Sequence, residues 1–153
     1  MISNRIVIDT NVCLDLFVFH DPRWQRLLEA LRAGTVEAVT RADCRMEWLI
    51  VLGYAHLPLD DVSRQRSMIE FDELIQCLPA RPADIAVTPL PLCRDRDDQK
   101  FLELARDSDA AILLTKDKAL LKLSRKIQRS GRFLILPPQA WLPSVPNLSL
   151  NQA

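Results

Sequence analysis

The chain has 153 residues, 48% of them hydrophobic, which is enough apolar material for one continuous core and fits a single domain. Its 20 basic and 20 acidic residues cancel, so no overall field draws it to nucleic acid or to an anionic membrane, and any RNA contact must come from a local patch. Four scattered cysteines, Cys13, Cys44, Cys77 and Cys93, form no CxxC pair, which argues against a zinc site or a redox motif and suits reduced, mostly buried thiols of a cytosolic protein.

The first residues run straight into a strand-like segment with no basic region ahead of a long apolar one, so no secretory signal is expected. The longest nearly apolar stretch, Trp48 to Ala55, is far too short to span a bilayer. A soluble cytoplasmic protein with no membrane partner is the expectation.

Arg5-Ile-Val-Ile8 is a short β-branched run that gives way at Asp9-Thr10-Asn11 to helix-capping composition, which predicts strand, tight turn and helix. Asp21-Pro22 offers an N-cap with proline at the first helical position, Leu27, Leu28 and Leu31 follow at helical spacing, and Gly34 stops that helix. Val36 to Val39 predicts a second strand. Thr40 is expected to cap a third helix reaching about Tyr54, and Asp60-Asp61 to open a fourth running to about Leu78.

The proline-rich piece from Pro79 to Pro91 is a connector with one candidate strand, Ile85 to Thr88. Asp95 to Asp98 starts a helix through Ala105, Ala111 to Leu114 reads as a buried strand, Thr115 caps a helix to Gln128, and Phe133 to Leu136 is a last strand. After Pro137-Pro138 only Trp141 and Leu142 look anchored, so the expected organisation is one domain over residues 1–142 and a flexible tail over 143–153. Short apolar strands alternating with helices require crossover connections, hence a mainly parallel sheet in a three-layer α/β/α domain.

In open parallel sheets, sites form outside the carboxyl ends of the strands, which brings forward Asp9 after the first strand and Asp117 after the Ala111 to Leu114 strand. Glu47 is the only charge from Met46 through Ala55, in a helix otherwise built from Trp48, Leu49, Ile50, Val51 and Leu52. A carboxylate among apolar side chains must be protonated, paired or metal-bound. Arg41, Arg45 or another arginine is the plainer partner. Asp9, Asp95 to Asp98 and Asp117 each also fit ordinary helix-start roles. Convergence of these acids would demand a divalent cation, and hard oxygen ligands without His or Cys point to Mg²⁺ or Mn²⁺. Such an ion activates water and clamps a phosphodiester, so phosphodiester hydrolysis is the natural reaction.

Together, Val7-Ile-Asp-Thr-Asn11, Glu47, Cys93-Arg-Asp-Arg-Asp-Asp98, Lys100-Phe-Leu-Glu-Leu-Ala105 and Leu114-Thr-Lys-Asp117 resemble the PIN-domain family, specifically its bacterial toxin-like branch. Ile135-Leu-Pro-Pro138 and Trp141-Leu142 resemble the family's closing strand and last helical turn. The resemblance implies Asp9, Glu47, Asp98 and Asp117 as metal-binding, catalytic acids, with Asp95 and Asp97 as further candidates and Asn11 and Thr115 as polar support. Asp98 is favoured over Asp97 by its spacing from Asp117. It also implies an RNA substrate, a homodimer and a cognate antitoxin protein. Lys116 departs from the small or polar residue usual there, and its ammonium is placed to compete with metal for Asp117.

Arg94 and Arg96, set among the acids, are candidate RNA contacts together with Lys116. Lys118, Lys122, Arg125 and Arg129 recur at helical spacing and fit a solvated amphipathic face as well as an RNA track. Two rival readings remain: a PIN scaffold that binds RNA or protein without cutting, and a receiver-type phosphoacceptor domain built on strand-end acids, a Thr and a Lys.

Overall fold

The computed structural model describes residues 4–82 and 87–141. Strand β1, Arg5–Ile8, ends at Asp9, whose extended backbone and carboxylate cap helix α1, Thr10–Phe17. Asp21 accepts from the Arg23 amide to start a 3-10 turn at Pro22–Trp24, which leads into α2, Gln25–Ala33. Gly34 ends α2 in the left-handed region at φ 77°, where a side chain would be strained. Strand β2, Glu37–Arg41, and helix α3, Ala42–Leu52, follow.

Asp60 and Ser63 exchange hydrogen bonds in a capping box that opens α4, Asp61–Leu74. Helix α4 passes without a turn into strand β3, Ile75–Leu78. A second 3-10 turn, Arg96–Asp98, leads into α5, Gln99–Asp107. Strand β4, Ile112–Leu114, helices α6, Lys118–Leu121, and α7, Ser124–Arg129, strand β5, Leu134–Leu136, and a last 3-10 turn, Pro138–Ala140, complete the described chain.

All five strands are parallel, in the order β3-β2-β1-β4-β5. Helices cover both faces, giving the expected three-layer α/β/α architecture. The period-2 alternation of strands supplies both cores: Ile6, Ile8, Ala38 and Leu114 pack with α1 to α4, while Val7, Val39, Leu113 and Ile135 pack with α5 to α7. On the first face Phe17, Trp48 and Phe71 lock α1, α3 and α4 together, with Trp48 and Phe71 stacked at 4.9 Å between ring centroids.

Strand β1 is central, with Val7 opposite both Val39 and Leu113. The chain builds outward to β2 and β3 on one side, then returns to β4 and β5 on the other. This reversal opens a crevice beyond the carboxyl ends of β1 and β4, the place where doubly wound sheets take ligands. Receiver-type folds have the order 2-1-3-4-5 instead, so that reading is excluded.

Several predicted boundaries are corrected. Thr40 does not cap the third helix: it is a buried residue of β2, and the Asp43 carboxylate takes up the Cys44 amide instead. That helix ends at Leu52, before Tyr54. The fourth helix stops at Leu74, and Ile75–Leu78 pairs with β2 as an edge strand. The helix expected from Thr115 to Gln128 is two, capped first by Asp117 and interrupted at Lys122 and Leu123.

Of the candidate strand Ile85 to Thr88, Ile85 and Ala86 lie outside the described residues, and Val87 and Thr88 are irregular. Leu142 and the expected tail lie outside them too, while Trp141 is half-buried against the first core. Cys13, Cys44 and Cys93 are buried free thiols and Cys77 is exposed. Among the described residues no helix is long and apolar enough to cross a membrane.

Candidate metal centre

At the crevice Asp9 is 3% exposed. Its amide donates to the Leu114 carbonyl at 2.9 Å, extending the β1–β4 ladder past the end of the strand. One carboxylate oxygen accepts from the Thr10 amide at 2.7 Å and the other from the Thr115 hydroxyl at 2.7 Å. Burial pushes the Asp9 carboxyl up to about 6, those two hydrogen bonds pull it back, and the charges of Glu47 and Asp117 add to the rise.

Thr115 is wholly buried, and its hydroxyl also accepts the Asp117 amide at 3.0 Å. One threonine therefore fixes two acids. Asp117 caps α6 through Oδ1, which accepts from the Ala119 amide at 2.7 Å, the role expected of Thr115.

Asp98 behaves differently. It stands at the N-cap of α5 yet makes no capping bond, is 7% exposed, and its Oδ2 is buried without a hydrogen-bond partner. Asp95 takes the capping role in that turn, accepting from the Asp97 amide at 3.0 Å. One carboxylate oxygen from each of Asp95, Asp98 and Asp117 lies within 4.8 Å of the others. Burial first, then the adjoining Asp117 carboxylate and the charges of Asp9 and Asp95, push the Asp98 carboxyl up to about 8. Asp97 is exposed and stands apart from this group.

Neither Asp9 nor Glu47 belongs to that group of three; Glu47, beside the buried Trp48 of α3, reaches Thr10 next to Asp9. Its Oε2 accepts from the Thr10 hydroxyl at 2.5 Å, and its Oε1 pairs with Lys100 Nζ at 2.7 Å. The partner is thus a lysine of α5, not the arginine that the plainer reading expected. Lys100 Nζ also donates to the Asp97 carbonyl, tying α3 to the acidic turn. The apolar surroundings expected of Glu47 are only partial, because Met46 and Ile50 face solvent.

The expected competition between Lys116 and metal for Asp117 is also corrected. Lys116 Nζ pairs instead with Asp15 at 2.8 Å, and the same Asp15 oxygen accepts from Trp24 Nε1 at 3.2 Å. Asn11, Arg94 and Arg96 are exposed, the two arginines flanking Asp95.

Thr10, Asp15 and Lys100 were missed as site residues. Asp15 carries the signal that singled out Glu47, a lone acid in an apolar helix, here among Val12, Cys13, Leu14, Leu16 and Phe17. Lys100 and Thr10 carry no comparable signal, since each acts through a partner distant in sequence.

These donors fit a small, hard divalent cation. All are carboxylate or hydroxyl oxygens, and the unpartnered Asp98 oxygen needs either a proton or a cation. The cavity of about 240 Å³ near Arg41, Leu78, Arg81 and Asp107 lies elsewhere and includes none of these acids. A family model for the PIN domain matches residues 5–119, a span that includes every acid of the crevice. No curated protein matches the chain.

Proposed function

The chain belongs to the PIN-domain family, whose members are generally nucleases, and from that premise we propose that it is an endoribonuclease that hydrolyses RNA phosphodiester bonds with Mg²⁺ or Mn²⁺. The observation that carries this is the buried, unpartnered Asp98 oxygen beside Asp117 and Asp95 at the β1/β4 switch point. A bound cation would supply activation of water and neutralisation of charge on the leaving oxygen.

The chain's own groups do the rest. Asp98, Asp117 and Asp95 would hold the cation, and Asp9 adds a fourth carboxylate kept in place by Thr10 and Thr115. Glu47 is anchored beside Asp9 by Thr10 and Lys100. Arg94 and Arg96 put positive charge on the rim, where an RNA backbone would pass.

The test is incubation of the protein with total RNA in Mg²⁺ or Mn²⁺ and mapping of the new ends. Discrete cuts are expected, abolished by EDTA and reduced roughly 100-fold or more in Asp98→Asn and Asp9→Asn, the scale on which loss of a charge-stabilising group acts. Cuts that persist in EDTA or in both variants would remove this site from the chemistry.

The finer reading, a toxin held by a cognate antitoxin and acting as a homodimer, rests on the resemblance in sequence. Co-purification of a small partner protein and a dimer in solution are its tests. One observation favours the non-cutting scaffold as second reading: Glu47 is already neutralised by Lys100. A scaffold would bind Mn²⁺ equally with and without Glu47→Gln and leave RNA intact.

A further inference from the structure

One strand beyond the acids on the carboxyl edge of the sheet, past the end of β5, a cavity of about 160 Å³ opens between the Pro22–Trp24 turn, the start of α2 and the Pro138–Ala140 turn. It is smaller than ordinary ligand pockets of about 300–1,000 Å³, so it suits one planar ring system. Its walls include Trp24, Trp141, Arg23, Arg26 and Pro138.

Trp24 is 9% exposed and carries the Arg23 guanidinium 4.8 Å from its ring centroid, while Trp141 is half-buried. Arg23 is tied to Asp21 at 2.7 Å. Arg26 is exposed and makes no ion pair among the described residues. The cavity thus offers the partly exposed Trp141 ring, the Arg23 guanidinium plane that lies over the buried Trp24, and one uncommitted cation.

It is joined to the acids by a short chain of contacts. Trp24 Nε1 and Lys116 Nζ share one oxygen of Asp15, and Lys116 immediately precedes Asp117. Aromatic rings and guanidinium planes are what unpaired bases stack on, and lysine and arginine beside them meet the phosphates. We propose that this cavity is a nucleobase-stacking subsite that holds single-stranded RNA next to the acid cluster. This rests on the ribonuclease reading and deepens it. A proline-rich peptide could also use two tryptophans, but the guanidiniums and the continuity with the acids favour RNA.

The probe is fluorescein-labelled single-stranded oligoadenylate, followed by anisotropy, with the full chain carrying Asp98→Asn so that the RNA stays intact. In that parent, Trp141→Ala weakens binding roughly 5- to 100-fold with little change in salt dependence, and Trp141→Phe restores most of it. Arg26→Ala, an exposed change that spares the core, weakens binding and lowers the salt slope by about one. Arg66→Ala on α4, an exposed cation that does not line the cavity, shifts affinity less than about twofold, and thermal melting checks the fold of each variant.

If Trp141→Ala and Arg26→Ala bind like Arg66→Ala while the unmodified chain still cuts RNA, the subsite falls and the nuclease reading stands. If the parent binds no RNA and the unmodified chain cuts none, the nuclease reading fails and the subsite with it. Displacement of the RNA from no variant, but quenching of Trp141 by a proline-rich peptide alone, would assign the cavity to a protein partner and overturn the proposal.

Discussion

Asp98 has a desolvation cost that falls when a proton or a cation occupies its free oxygen. In the metal-free protein its carboxyl is raised to about 8 from an ordinary 3.8, so the folded state holds a proton that the unfolded state has released. The associated stability is complete below about 3.8 and is lost as pH rises through about 8. Asp98→Asn keeps the side chain neutral throughout. In EDTA at pH 8.5 it is expected to melt above the unmodified chain, with the gap closing near pH 4, and Mn²⁺ should reverse the order at pH 8.5. A lower melting point for Asp98→Asn in EDTA at pH 8.5 would mark the carboxylate as structural. At this scale the acids were legible because lone charges in apolar runs and acids after strands are visible in one dimension. Their partners were not: Lys100 reaches Glu47 from another helix, and Asp15 takes Lys116 away from Asp117.

Elements were legible where their ends carry chemistry and obscure where they do not. Asp60 and Gly34 mark their helix ends in the sequence, and both act there in the structure, where Ser63 completes a capping box with Asp60. The junction of α4 and β3 has neither glycine nor proline, so Ile75 and Leu78 simply continue the helical spacing of Leu74. Pairing with Ala38 and Arg41 of β2 is what turns those residues into a strand, and a local pattern does not contain that partner. The break between α6 and α7 has a similar origin, since the Ser124 hydroxyl is engaged by the Ile135 carbonyl of β5 at 3.1 Å. If the capping box fixes where α4 begins, Asp60→Ala should cost about 1 kcal/mol with an unchanged denaturant slope. Urea unfolding measures both, and no loss of stability would show that packing of Phe71 alone holds the helix in place.

For the molecule as a whole, the candidate site draws on segments far apart in sequence: Asp95 and Asp98 before α5 and Asp117 after β4 come together, with Asp9 after β1 and Glu47 on α3 beside them. Their order along the chain was legible, but their meeting was not, because it depends on β1 lying between β2 and β4. A cation held by acids from separate segments binds the folded state alone, so its affinity adds directly to global stability. At about 100 times its Kd the stabilisation is about 2.7 kcal/mol, or roughly 5–10 °C in Tm for a chain of this size. Protons compete for the same oxygens, with Asp9 raised to about 6 and Asp98 to about 8. The Tm increment produced by a fixed Mn²⁺ concentration should therefore be small at pH 5 and grow through pH 8, while Asp9→Asn and Asp98→Asn flatten the rise. Scanning calorimetry across that range decides it: an increment independent of pH would place the bound cation on groups other than these two carboxylates.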